Sequence, residues 1–529
     1  MLLLIMAGCH KPHKNEIVPS QPPSQPSQPS LTPAAISSDI LIYGATSSGI
    51  IAAVEAAKSG KNVILISTDQ YIGGMTSGGL SKADIIAPSV GGLAKEFFLK
   101  VAAVYSEPVP SYTYEPKVAL QVFSEYLNSY PNIKVYYSER LDLEKGVNKN
   151  AVSKKIFYLQ MESGEIFAAQ EYIDASYEGD LLAKAGVSYT VGREANSKYS
   201  ESKNGVQPAM TFPVKVSPYL IDNDPQSGLI PRINALQATE PGSSDNLIMA
   251  YNYRICLTND PNNIIPITKP ADLNMNDYEI MFRMIKQKYK VFLGWHWTKN
   301  NKLDVNSADY FSTDYVGMNS SYPEGNYTKR DSIKKKIENY ERGLIWLIQN
   351  DPRIPLPIQK FYKTFGLPKD EFIQNNGWPT QLYVREGRRM ISDYVITDNY
   401  ILNKGQVNDP IGLGSYPIDS HLAQYRINAS GFIEGEGQMY LDANRGYGIS
   451  YRALVPKQSE CTNLAVSVCV SASHSAFCSL RTEPTYMIMG QSAAAAAVLA
   501  INDSCDIQSV NYSKLRKQLI NDHQFIVTQ

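Results

Sequence analysis

Residues 39–79 read DILIYGATSSGIIAAVEAAKSGKNVILISTDQYIGGMTSGG: a strand, a glycine turn, a helix, a second strand and a second glycine turn. The apolar run Ile40–Tyr43 suits a buried parallel strand, and Gly44 stands where the chain turns sharply into a helix expected over Ile50–Lys58. Gly49 lets that helix lie close to the sheet. A helix starting here offers unpaired backbone N–H groups and the positive end of its dipole to a pyrophosphate, so no basic side chain is required. The dinucleotide pattern G-x-G-x-x-G appears as Gly44-Ala45-Thr46-Ser47-Ser48-Gly49, with Thr46 in place of the second glycine. Gly44, Thr46, Ser48 and Gly49 are the contacts expected from this turn. Gly60 ends the helix and Asn62–Ser67 forms the second strand. Its tip, where an acid commonly binds the adenosine ribose, carries Ser67, and Asp69 two residues on is placed to reach the sugar hydroxyls instead. The loop Gly73–Gly79 is too rich in glycine for a plain connection. Backbone approaching a ligand is the better reading, with Gly73, Gly74 and Met75 as contacts.

In flavoproteins of the glutathione-reductase type a second glycine loop runs past the pyrophosphate toward the flavin, which tilts the expected cofactor from NAD to FAD. From here the chain resembles the bacterial FAD-dependent oxidoreductases that begin with a strand, a YGGT-like turn and a GGM-type loop. The resemblance covers most of residues 38–500. It is carried further by Tyr172–Leu182 (YIDASYEGDLL), Tyr189–Glu194 (YTVGRE), Tyr383–Met390 (YVREGRRM), Gly414–His421 (GSYPIDSH) and the block 447–497. Some relatives carry a xanthan lyase label. The resemblance implies an α/β fold: a Rossmann-like FAD/NAD(P)-binding domain of the glutathione-reductase type with an inserted α+β substrate domain. Asp174-Ala175-Ser176 resembles the Ala-Thr-Gly turn that brings such chains back beside the cofactor. In the resembling family a late helix points its N-terminus at the flavin N1 and O2 edge. Here that implies Gly490, Gln491 and Ser492, followed by five alanines, in a helix expected over Met489–Ala500.

With 529 residues, 43% hydrophobic, the chain is long enough to bury a large core. Lys+Arg 50 against Asp+Glu 51 leaves no basic excess, so nucleic acid is not an expected partner, and Lys334–Lys336 reads as a solvated helix face. The 35 tyrosines, many between about 250 and 400, suit stacking on sugars or flat ligands as well as ordinary packing.

Met1–Cys9 (MLLLIMAGC) is similar to a bacterial lipobox, which implies lipid attachment at Cys9 and an exported lipoprotein, periplasmic or at the cell surface. The following PSQPPSQPSQPS tract reads as a tether. The only membrane contact expected is that anchor, since Ser492–Ile501 falls short of the ~20 residues a span requires. The remaining cysteines, 256, 461, 469, 478 and 505, lack metal-site spacing, so no metal is expected; Cys461 and Cys469 are either a pair or buried structural thiols, the latter favoured.

The expected organisation is a signal (1–9), a linker (10–37), a first FAD-binding segment (38–204), a substrate domain (205–435), a returning FAD-binding segment (436–505) and a tail (506–529). Strands are expected over Lys154–Gln160, Glu165–Ala169, Glu171–Ile173 and Asn463–Val470, a helix over Lys329–Asn350, and a loop over Ser471–Arg481.

The protein's share of flavin chemistry is to hold substrate at N5 and move a proton as hydride moves. His474 is the first candidate for a proton acceptor or oxyanion partner and His421 the second. Arg481, on the same expected loop as His474, and Arg385, in a run with Arg388 and Arg389, are candidates for positive charge at the substrate. His296, between Trp295 and Trp297, reads as part of a stacking wall. The function expected is hydride transfer from a small polar substrate, a sugar or glycan fragment, to FAD. The competing readings are a cofactor-independent polysaccharide lyase of the xanthan type and a flavin-containing glycan-binding protein.

Overall fold

The computed structural model describes residues 35–526 except 86–88, 236–238, 291–292, 309, 404–406 and 444–445. Cys9, its leader and most of the linker lie outside the described residues. From Ala35 onward the chain is one compact unit.

Its centre is a sheet whose innermost strand, β1 (Ile36–Tyr43), pairs in parallel with β2 (Val63–Ile66) on one side. On the other side it pairs in parallel with β6 (Ile166–Asp174), so that Tyr43 is level with both Ile66 and Asp174. Beyond β2 lies the parallel β3 (Ile133–Tyr136). Beyond β6 lie the antiparallel β5 (Ile156–Gln160) and β4 (Val147–Lys149). A late strand, Leu464–Val466, returns to pair in parallel with β6. Ile40, Leu41, Ile42 and Tyr43 are completely buried, as an unbroken apolar run covered on both faces requires. Each such side chain contributes about 1.5–3 kcal/mol of burial. The two strands expected at 165–169 and 171–173 are one continuous strand, and the strand expected over 463–470 is shorter.

Helix α1 (Ser47–Lys58) begins three residues before the expected start, because the Thr46 side chain caps it and accepts from the Gly49 N–H at 3.2 Å. Across α1 lies the helix Glu483–Asp503, which starts well before the expected Met489. At 21 residues it is long and apolar enough to cross a membrane, contrary to the shorter span expected, yet it is a core helix with Ala493–Ala497 completely buried. The residues 471–481, expected as a loop, contain a helix, His474–Leu480, capped by Ser473.

Between these halves the chain builds antiparallel sheets, among them Ile255–Thr258 with Lys302–Asn306 and Gly294–Trp297, and the long helix Tyr327–Asn350. All five cysteines in the described residues are free, and Cys461 and Cys469 are buried.

The contact of α1 with the late helix is backbone to backbone. A Cβ on Gly490 would stand 2.2 Å from the Ser48 carbonyl oxygen, which no rotamer change relieves. Gly490→Ala therefore lowers stability by about 1–3 kcal/mol despite its better helix propensity, read as a lower Tm in thermal unfolding.

Candidate functional site

The carboxyl ends of β1, β2 and β6 meet at one edge of the sheet, where the strand order reverses direction around β1, the position at which open α/β sheets bind ligands. A cleft of about 50 Å³ opens there, lined by residues that follow each of the three strands: Gly44 to Thr46, Ser67 to Asp69, and Ser176 to Glu178. Gly44 has φ +106°, and a Cβ on it would lie 2.7 Å from the backbone of Ala175 and Ser176. Only glycine closes this turn. Gly49 is equally constrained, its Cβ position lying 2.0 Å from the Gly44 carbonyl oxygen.

The side chains behind the cleft are largely committed to holding its shape. Thr46 Oγ1 donates to the Ala175 carbonyl at 2.8 Å, Ser48 Oγ to Ser467 Oγ at 2.8 Å, and Ser67 Oγ to the Tyr71 carbonyl at 2.6 Å. Ser48 thus points away from the cleft. Asp174 accepts from the Ser176 and Leu182 N–H groups, and its burial pushes its pKa up to about 6 against those hydrogen bonds. Asp69 lines the cleft and accepts from the Tyr71 N–H through Oδ1 alone; its burial raises its pKa. Lys334, read from sequence as solvated, also lines the cleft and has no ion-pair partner among the described residues. Its distance in sequence from the glycine turns hid it.

The second glycine turn opens helix α2 (Gly74–Gly78). Gly73 and Gly74 have φ +90° and +55°, and a Cβ on Gly74 would meet the Tyr177 hydroxyl at 2.2 Å. Tyr177 accepts from the Met75 N–H at 2.9 Å and donates to Glu483 Oε1 at 2.7 Å. Glu483 also accepts from Ser47 Oγ at 2.6 Å and Thr76 Oγ1 at 2.7 Å. The three elements expected to enclose the cofactor therefore do converge, but through Glu483 in the first turn of the late helix. Gly490, Gln491 and Ser492 lie in its interior: Gln491 accepts from the Leu93 N–H, and Ser492 donates to the Ile411 and Ile488 carbonyls. Their N–H groups are not at a helix start, because Glu483 with Pro484 begins the helix about two turns earlier.

From α2 the chain passes Gly79, which packs on Arg254, and reaches a second, strongly polar cavity of about 260 Å³ whose wall carries Lys82 and Asp84. Arg254, His296, Asp314, Tyr383, Asp419, His421 and Arg481 also line it. His421 Nδ1 lies 2.8 Å from Asp314 Oδ2, and its Nε2 is 3.7 Å from Asp419 Oδ2. Arg481 donates to the Tyr383 hydroxyl and to the Asp419 carbonyl, both at 2.8 Å. Burial alone would raise the Asp419 carboxyl, but His421 and Arg481 hold it well below the usual range. Arg385 is fully buried behind the wall; it pairs with Asp314 at 2.9 Å and so steadies His421. Against burial, Arg385 and His421 likewise keep the Asp314 carboxyl low.

Of the expected catalytic residues, His421 and Arg481 are brought together at this cavity and His474 is not. As the first residue of its helix, His474 is buried, with Nδ1 2.8 Å from Glu386 Oε1 and its N–H donating to Glu194. Glu194 and Glu386 are in turn bound by Arg389. The helix His474–Leu480 also separates His474 from Arg481, which proximity in sequence had grouped. His296 corrects the stacking-wall reading: strand alternation sends it into the cavity while Trp295 stacks on Phe361 on the opposite face. Asp84, Asp314 and Arg254 were missed, since nothing local marks them and tertiary folding alone gathers them.

A turn that only glycine closes, a helix start beside it and an acid just beyond the second strand fit the phosphate and sugar half of a dinucleotide. Comparison with solved structures finds Aquifex aeolicus GidA at 14% identity, covering 26% of this chain and 24% of that one with a TM-score of 0.19. T. acidophilum thioredoxin reductase is similar at 16% identity over 31% of this chain and 40% of that one, TM-score 0.18. The OTEMO complex with FAD and NADP is similar at 13% identity over 26% and 25%, TM-score 0.20. The chain thus spans a quarter to two fifths of the length of these proteins. None of the curated proteins matches it. The family model described as FAD dependent oxidoreductase matches residues 39–519. With a match over nearly its whole length, the chain belongs to the FAD dependent oxidoreductase family, and its cofactor is FAD.

Proposed function

We propose that this protein oxidises a small polar substrate, a sugar or glycan fragment, bound in the cavity between His421 and Arg481. The observation that carries this reading is the course of residues 73–84. One end forms the second glycine turn beside the nucleotide cleft, and the other forms the wall of the polar cavity. Gly44, Gly49, Asp69 and the turn at Gly73 would hold FAD, which supplies the acceptor for two electrons and a hydrogen when bound. The chain's own work is orientation and charge. Arg481 offers a guanidinium donor fixed by Tyr383 and Asp419, and His421 a ring fixed by Asp314, so substrate oxygens meet groups that need no reorganisation. A lining of carboxylates, guanidinium and hydroxyl groups suits a ligand with several hydroxyls better than an apolar one.

The purified protein is expected to be yellow, and anaerobic mixing with a panel of sugars, polyols and uronates should bleach its flavin band. A spectrum unchanged by every member contradicts the reading. Gly44→Ala, by pushing a methyl into the Ala175 backbone, should weaken FAD binding at least about tenfold, measured by flavin fluorescence titration. Arg481→Met should keep the flavin band and raise the KM of the bleaching substrate by about 10- to 100-fold, the loss of one charged hydrogen bond.

A further inference from the structure

Three carboxyl side chains line the polar cavity, and two are already engaged. Asp314 is bound by His421 and Arg385, and Asp419 by Arg481 with His421 nearby. Asp84 is different. It is half-buried and makes neither a hydrogen bond nor an ion pair with any described residue. His421, the other candidate acceptor on this wall, has Nδ1 engaged by Asp314 at 2.8 Å, while its Nε2 lies 3.7 Å from Asp419, beyond hydrogen-bond distance, and stays open to substrate, so Asp84 is the one carboxylate of the wall with no partner among the described residues.

Resting on the reading above, we propose that Asp84 is the catalytic base of this cavity, accepting the hydroxyl proton of an alcohol substrate as that alcohol is oxidised. The O–H bond breaks and its proton passes to the Asp84 carboxylate, giving a neutral acid. The carbon's C–H pair leaves as hydride to FAD, so the alcohol becomes a carbonyl compound and the flavin is reduced by two electrons. Burial pushes the Asp84 pKa above the ordinary carboxylate range, with Arg254 pulling it down, Asp419 up and Arg481 down. This moves it toward the range where a base works best near neutrality. Asp304, paired with Arg254, and His296 lie around it as well, and Lys82, Asp314 and His421 line the same cavity. The remaining titratable neighbours are the hydroxyls of Tyr114, Tyr383, Tyr416 and Tyr440, all raised by burial.

Two measurements on the full-length holoprotein test this. Carbodiimide with glycine ethyl ester modifies protonated, accessible carboxyl groups; at pH 6, peptide mass spectrometry should show Asp84 labelled about tenfold or more faster than Asp314 and Asp419. Labelling of Asp84 no faster than those two overturns the proposal. The second is anaerobic stopped-flow reduction by whichever polyol or sugar bleaches the wild type. Asp84→Asn, with an unchanged flavin band, should reduce at least about 100-fold more slowly, and Asp84→Glu should recover part of the rate. Reduction of Asp84→Asn at the wild-type rate removes Asp84 alone. A wild type bleached by no alcohol removes the functional reading and the role of Asp84 together.

Discussion

Everything in this fold depends on backbone touching backbone where side chains are excluded. Gly49 sits against the carbonyl of Gly44, Gly44 against Ala175, and Gly490 against Ser48. These three approaches draw the first helix onto the strand turn and the late helix onto the first. A methyl group at any of them would separate layers whose alanines and serines are packed for that spacing. The nucleotide cleft is the by-product: when α1 is pulled in this far, its first N–H groups face the edge where three strands end.

The second consequence is electrostatic. The cavity gathers acids and bases in nearly matched pairs, Arg254 with Asp304, Arg481 with Asp419, His421 and Arg385 with Asp314. Each pair satisfies charges that burial would otherwise penalise by several kcal/mol. A wall built this way is rigid and polar without being flooded by one sign of charge. The groups with no ion-pair partner among the described residues, such as Asp84 and Lys82, become the ones with hydrogen-bonding capacity to spare.

The β1–α1–β2 unit and both glycine turns were legible because their signals are local, an apolar run and glycines where the chain must turn; the capping role of Thr46 was not read, and the helix start was placed three residues late. The long helix Tyr327–Asn350 was legible for the same reason. The late helix was misplaced because its alanines drew attention to its middle, while its true start, Glu483-Pro484, is an acidic residue followed by proline, a recognised first-turn signature. The wall of the polar cavity was half legible. His421 and Arg481 stood out as residue types, but His474 stood out equally and is buried in a network with Glu386 and Arg389. Nothing in a linear sequence distinguishes a histidine that ends in a cavity from one that ends in an ion-pair cluster. Asp84 and Lys334 carry no local signal at all.

Glu483 ties Ser47, Thr76 and Tyr177 to one carboxyl group, across sequence separations of 436, 407 and 306 residues. The strand Leu464–Val466 and the helix that follows Glu483 then cover β6 and α1 from the far end of the chain. During synthesis the first two hundred residues therefore emerge with one sheet edge unpaired and one helix face bare. They wait for Leu464–Val466 and Glu483–Asp503 before they close. Such long-range closure makes for slow folding, and it leaves the nascent chain dependent on protection from aggregation until those late residues have emerged.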